Sequence, residues 1–132
     1  MRPLPEITSM NAHFWRSGRH GELCLLRCSA CSYYVHPPQP VCPRCLSKDV
    51  PPVVVSGRGT LFSFTVNHHP WNPTVPAPYI IGLVEIAEQH DVRLTTNIVG
   101  CEPDDVRIGM PVRVNFEQEG EVYVPVFTPD VT

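Results

Sequence analysis

Four cysteines stand in two matched pairs, Cys28-Ser-Ala-Cys31 and Cys42-Pro-Arg-Cys45, with ten residues between the pairs. Each C-x2-C sets two sulfurs on one tight knuckle, and two facing knuckles make a tetrahedral four-thiolate cage, the geometry that structural Zn2+ takes. Four protein ligands close the coordination shell and leave no position for water or substrate, so the expected cofactor is a structural zinc. Two disulfides are the competing reading of the same four residues. A redox C-x2-C requires a single motif opening a helix after a strand; Pro43 and the stiff segment carrying Pro37, Pro38 and Pro40 argue against that setting.

No other set of residues makes a self-sufficient catalyst. The chain has no G-x-S-x-G, no H-E-x-x-H and no Cys-His pairing in sequence. His68-His69 is the one tempting pair, but neighbours on extended chain point opposite ways and do not share a metal. These histidines read as surface-loop residues, or as part of a loop from Asn67 to Pro78 that brings Trp71 to the mouth of another chain's active site. Cys24 and Cys101 sit among apolar neighbours and read as buried free thiols.

The elements that must position the cysteines are short. A helix is expected from Thr8 to Arg19, capped by Thr8 or Ser9, with Ile7, Asn11, Phe14 and Trp15 on one stripe. So short a helix has to dock its stripe, either on its own domain or on a partner chain. Glu22 to Arg27 reads as a strand entering the first knuckle, and Tyr33-Tyr34-Val35 as the return strand. Together they make a zinc ribbon over residues 23–52, preceded by an arm and helix over 1–22. Pro51-Pro52 reads as a hinge to a second unit, 53–132.

That second unit alternates. Five strands are expected: Gly57 to Val66, Tyr79 to Ala87, Val92 to Val99, Pro111 to Phe116 and Val122 to Phe127. A helical turn from Glu102 to Gly109 lies between the third and fourth. Five strands with that insertion fit an OB-type barrel, so the fold class is mainly β: helix, four-cysteine ribbon, five-stranded OB-fold.

The chain has 132 residues, with 16 prolines and only 8 glycines, and no apolar run approaches a membrane span. The first residues, Met-Arg-Pro-Leu-Pro-Glu, lack the apolar core of a secretory signal, which with reduced thiolates points to the cytoplasm. The net charge of −3 hides an asymmetry. Residues 1–58 carry seven basic against three acidic groups, and residues 59–132 three against ten. The metal half is therefore the place to seek an anionic ligand. A barrel half at −7 repels a phosphate backbone, which weighs against a single-stranded nucleic-acid module, the alternative that OB barrels and zinc ribbons otherwise suggest. A rubredoxin-like electron carrier is a third reading, and a red ferric site would distinguish it from colourless zinc.

An ordered set of motifs resembles the domain-of-unknown-function-35 family. It runs through Phe14-Trp15, Leu25-Leu-Arg-Cys28-x-x-Cys31, Pro37-Pro38, Cys42-Pro-Arg-Cys45 and Gly57-x-Gly-Thr60-x-x-Ser63-x-Thr65. It continues in Pro78-Tyr79, Leu83-Val-Glu85, Arg93-Leu-Thr-Thr-Asn97, Gly109-Met-Pro-Val112 and Phe127-x-Pro129. One departure is that Ser32 and Leu46 stand where glycine usually follows each C-x2-C. The resemblance implies an accessory role beside a thiolase-fold enzyme in a hetero-oligomer of two plus two, with acyl-CoA as ligand and no catalysis by the chain itself. It is similar to the branch whose lipid-transfer-protein-like partner shortens steroid side chains by retro-aldol cleavage, where the domain is a segment of a longer hydratase-partner subunit. CoA phosphates call for guanidinium and ammonium groups. Arg16, Arg19, Arg44, Lys48 and Arg58 are the expected contacts, with Phe14, Trp15, Tyr33, Tyr34 and Trp71 toward the partner.

Overall fold

The computed structural model describes residues 5–69 and 78–130. Alternating apolar residues build most of it. In Tyr79–Ile86 (β5), Ile80, Gly82, Val84 and Ile86 are buried while Tyr79, Ile81, Leu83 and Glu85 are only partly covered, the period-two signature of a strand with one face inward. β5 pairs antiparallel with Arg58–Asn67 (β4) and with Arg93–Ile98 (β6). Pro111–Glu119 (β7) and Val122–Pro129 (β8) form a hairpin along their whole length. β7 closes onto β4, and β8 meets β6 in a parallel contact at Ile98 and Phe127. The result is a closed barrel in the order β4-β5-β6-β8-β7. β4 carries a bulge at Phe62, where the register against β5 shifts between Leu61 and Ser63.

The ribbon sheet has three strands. Leu23–Arg27 (β1) lies between the two-residue Tyr34–Val35 (β2) and Pro52–Val55 (β3). The expected hinge at Pro51-Pro52 is thus replaced by a strand: Leu23, Cys24, Leu25 and Leu26 pair with Val55, Val54, Val53 and Pro52. Proline is tolerated there because Pro52 begins an edge strand. Leu23, Leu25 and Val55 belong to the same apolar cluster as Leu61, Val84, Val112 and Phe127, so ribbon sheet and barrel share one core.

The N-terminal helix is shorter than the sequence suggests. It spans Ala12–Arg16 (α1) and continues as a 3-10 turn over Ser17–His20. Thr8 does not cap it. Thr8 and Asn11 instead bond each other, Thr8 N–H to Asn11 Oδ1 at 2.7 Å and Asn11 N–H to Thr8 Oγ1 at 3.4 Å, forming a separate turn before the helix. The helix end rests on the barrel. A Cβ at Gly18 would lie 2.5 Å from Tyr123 Cβ and 2.6 Å from Phe116 Cδ1, so only glycine fits this approach. The stripe docks within its own chain: Phe14 packs on the main core, and Ile7 and Trp15 on Val122, Val124 and Val126 of β8. Cys24 and Cys101 are free and half-buried, less covered than expected.

Candidate metal centre and its clasp on the barrel

The four sulfurs of Cys28, Cys31, Cys42 and Cys45 all lie within 4.8 Å of one another. Cys28 Sγ is 3.5 Å from Cys45 Sγ, and Cys31 Sγ is 3.7 Å from Cys42 Sγ. Zinc–sulfur bonds of about 2.3 Å put tetrahedral sulfurs roughly 3.7 Å apart, so the cage fits Zn2+ and the site is a structural zinc site. Cys28 and Cys42 are buried, and Cys31 and Cys45 face outward. The backbone tunes the sulfurs. The Cys31 N–H holds the Cys28 thiol down to about 6. Burial pushes Cys42 up, but the N–H groups of Cys45 and Arg44 carry it below its ordinary value. Cys45 accepts from Ser47, yet the crowding sulfurs of Cys28 and Cys31 push it up to about 12. Thiolates this close can all ionise only beside a cation, which is the chemistry a divalent metal supplies.

Each knuckle closes on a residue with positive φ, Ser32 at 67° and Leu46 at 66°. These are the two departures from glycine noted in the sequence. Ser32 N–H donates to Cys28 O and Leu46 N–H to Cys42 O, at 2.8 and 2.9 Å, so the turn requires the left-handed backbone whichever residue occupies it. Arg27 braces the first knuckle by donating from Nε to Ser32 O at 3.0 Å.

The turn between β5 and β6, residues 87–92, holds the ribbon to the barrel. Gln89 Oε1 accepts from Tyr34 N–H at 2.9 Å and Gln89 Nε2 donates to Tyr34 O at 3.0 Å, so its side chain completes β2 as another strand would. Tyr33 Oη donates to Asp91 Oδ2 at 2.5 Å. That bond lowers the Asp91 carboxyl and raises the Tyr33 phenol. Glu88 Oε2 accepts from Ser56 N–H at 2.6 Å. From sequence alone, Glu88-Gln-His-Asp91 reads as a plain hairpin turn. Its one signal is a run of four polar side chains, and nothing local says what they reach.

The expected ligand and partner residues fall in separate places. Arg44 lies over the Tyr33 ring at 5.3 Å and Arg27 over the Tyr34 ring at 4.8 Å. Lys48 is exposed just beyond the second knuckle, and Arg19 is exposed at the helix end. Arg16 pairs with Glu121 at 3.7 Å, and Arg58 with Asp130 at 3.9 Å. Phe14 meets Trp15 edge-on at 4.8 Å and stacks against His36 at 4.9 Å. Tyr33 and Tyr34 are both committed to the clasp. His68 and His69 are exposed, and Trp71 lies outside the described residues.

Residues 15–51 match the family model described as the ChsH2 rubredoxin-like zinc ribbon domain, and residues 52–117 the one described as the ChsH2 C-terminal OB-fold domain. A DUF35 domain-containing scaffold protein of Methanocaldococcus jannaschii is 36% identical over 78% of this chain and 76% of its own length. The chain belongs to the ChsH2/DUF35 family. Two longer relatives carry pathway names. A probable enoyl-CoA hydratase alpha subunit of Thermomonospora curvata is 42% identical over 99% of this chain. The 3-oxo-4,17-pregnadiene-20-carboxyl-CoA hydratase alpha subunit of Mycobacterium tuberculosis is 39% identical over 85%. This ChsH2/DUF35 chain spans only 41% and 35% of their respective lengths. Among solved structures, a chain of the Ltp2-ChsH2(DUF35) aldolase superposes with a TM-score of 0.87 at 40% identity, covering 97% of this chain and all of that one. A DUF35 protein of unknown function from Sulfolobus solfataricus shares the fold, with a TM-score of 0.65 at 14% identity, covering 92% of this chain and 86% of that one.

Proposed function

We propose that this chain is the non-catalytic subunit of an acyl-CoA-cleaving aldolase, docked on a thiolase-fold partner that performs a retro-aldol step in steroid side-chain breakdown. One observation carries the reading: the likeness to the ChsH2 component of an aldolase extends end to end, over 97% of this chain and 100% of that one. The scaffold name of the archaeal relative and the CoA-thioester names of the bacterial ones agree with it. The residues agree as well. The cysteine cage is the one cluster of metal-ligating side chains among the described residues, and its closed shell holds a structure without activating a substrate.

In this role the zinc stiffens residues 28–50 so that Arg44 and Lys48 stand at fixed positions. These two, with Arg16, Arg19 and Arg58, are the proposed contacts for the ligand's phosphates; the proposed contacts on the partner side are Trp71 and the surface of Phe14 and Trp15 that their own chain leaves uncovered. Assembly is two plus two in the cytoplasm. The test is co-expression with a thiolase-fold aldolase chain followed by size-exclusion chromatography and turnover assays. Joint elution, with cleavage of a β-hydroxyacyl-CoA only when both chains are present, is the expected result. Turnover by the isolated chain, or failure to co-elute with such a partner, would sink the reading. Trp71→Ala is expected to weaken the complex or its activity while leaving zinc content unchanged.

A further inference from the structure

Arg113 was absent from the basic residues singled out in the sequence, and its place in the barrel is unusual. Arg58 on β4 lies directly opposite Arg113 on β7. The flanking hydrogen bonds give the kind of pair. Val114 N–H donates to Gly57 O at 2.7 Å and Leu61 N–H to Met110 O at 3.0 Å. The bonded positions are therefore 57 with 114 and 61 with 110, and 58 with 113 falls at the non-hydrogen-bonded position between. Side chains approach closest there, with Cβ atoms about 4.5–5.5 Å apart, and like charges so placed repel. Both residues are exposed on the outer face, because Val112 and Leu61 take the inner one.

The local carboxylates do not settle the repulsion. Asp130 reaches Arg58 Nε only at 3.9 Å. Glu88, whose carboxylate reaches Ser56 two residues before Arg58, is spent on the Ser56 amide and hydroxyl. Arg113 has no hydrogen-bond or ion-pair partner among the described residues. On its other side, across the β7–β8 ladder, stands Thr128, which adds a hydroxyl to the same row. The row cannot easily drift. Gly57 has φ of 77°, and a Cβ there would strike Val114 Cγ1 at 2.5 Å, so the backbone beside Arg58 is seated on β7.

We infer that Arg58, Arg113 and Thr128 form a binding site for a phosphoryl group, whose two charges match two guanidiniums and whose several oxygens match their forked donors. Under the proposed function the phosphoryl group is one of those on CoA; that identification rests on the proposed function, whereas the site itself does not.

The test uses the zinc-loaded full chain in phosphate-free buffer of low, constant ionic strength. Thermal unfolding is followed against added inorganic phosphate, CoA or acetate, for wild type, Arg113→Gln and Arg58→Gln. Wild type is expected to gain several degrees, saturably, with phosphate and with CoA, and nothing with acetate. Arg113→Gln is expected to start above wild type, because the repulsion is gone, and to lose at least fivefold in phosphate affinity. Tighter binding of CoA than of inorganic phosphate assigns the group to the thioester's nucleotide; equal binding assigns it to a free phosphoryl group. A wild-type response matched by acetate, or an Arg113→Gln variant that starts no higher and responds equally, overturns the site. Partner capture by Arg113→Gln separates this failure from that of the proposed function. Capture with no phosphate response leaves the accessory role standing, and phosphate response with no capture does the reverse.

Discussion

In the barrel, Leu61, Val84, Val112 and Phe127 have no exposed surface, and each packs on neighbours from several strands. Between residues 36 and 50 of the ribbon, Cys42 is the one buried side chain. The ribbon loop carries four prolines in fifteen residues, and it is ordered by a metal where the barrel is ordered by apolar burial. The difference teaches where a short, proline-laden loop obtains its order. Fifteen residues cannot bury enough apolar area to offset their own chain entropy, whereas four metal bonds can. The boundary between the two regimes is not the boundary between the modules. β1 leads into the first C-x2-C knuckle and β3 follows the second, yet they send Leu23, Leu25 and Val55 into the barrel's core.

Removing the metal is the strongest way to probe that comparison. Chelation, or Cys42→Ser, is expected to abolish hydrogen-exchange protection over residues 28–50, since metal binding and folding are one event in small metal modules. Protection in β4 to β8 is expected to survive; its simultaneous loss would show that the barrel also leans on the metal. The converse cut is Phe127→Ala, which empties the centre of the barrel at a cost of about 3–5 kcal/mol. Denaturant unfolding is expected to report that loss while the folded variant still binds one zinc.

Acid probes the contact between the ribbon loop and the N-terminal helix, where His36 lies 4.9 Å from Phe14. Burial holds the His36 imidazole down to about 4, and burial also lowers His13. Their Nδ1 and Nε2 atoms, respectively, are buried without partners. Above about pH 6.5 both imidazoles are neutral, folded or unfolded, and nothing is lost. Between 6.5 and 4 the unfolded chain takes up the His36 proton and the folded chain does not, so stability falls as pH falls, by about 2–3 kcal/mol for His36. His36→Phe is expected to flatten that slope in denaturant titrations at pH 7 and 4.5. The smallest effect is expected at the second knuckle. Leu46 is 75% exposed and left-handed, so Leu46→Gly loses little packing and relieves a strained backbone. A gain of a few tenths to about 1 kcal/mol is expected, measured as a higher midpoint at saturating zinc.

Much of this molecule is legible in its residues, for local reasons. The cage is legible because coordination chemistry constrains spacing. The barrel strands are legible because a two-residue period survives in sequence, and Pro111 to Phe116 proved merely longer, reaching Glu119. What was not legible depends on contacts between distant segments. Pro51-Pro52 suggests a break, and only pairing with β1 makes Pro52–Val55 a strand. The stripe of Ile7, Phe14 and Trp15 suggests a three-turn helix, but the Thr8–Asn11 turn delays its start to Ala12, and beyond Arg16 it tightens into a 3-10 turn whose Gly18 is pressed against Tyr123 and Phe116. Gln89 looks like any turn residue until its amide is found bonded twice to Tyr34, 55 residues away. Arg113 alternates correctly for an outward position and gives no sign of the second arginine beside it until the register is known.

The Gln89, Asp91 and Glu88 bonds have a consequence for assembly. Any larger particle built on this chain receives the metal tip and the β-barrel at a preset separation and angle, as one rigid fixture. The freedom that a tethered pair of modules would surrender on docking is already gone when the chain folds. The association constant can then reflect the contacts themselves, and an assembly needing two such surfaces at once can form from weak individual touches.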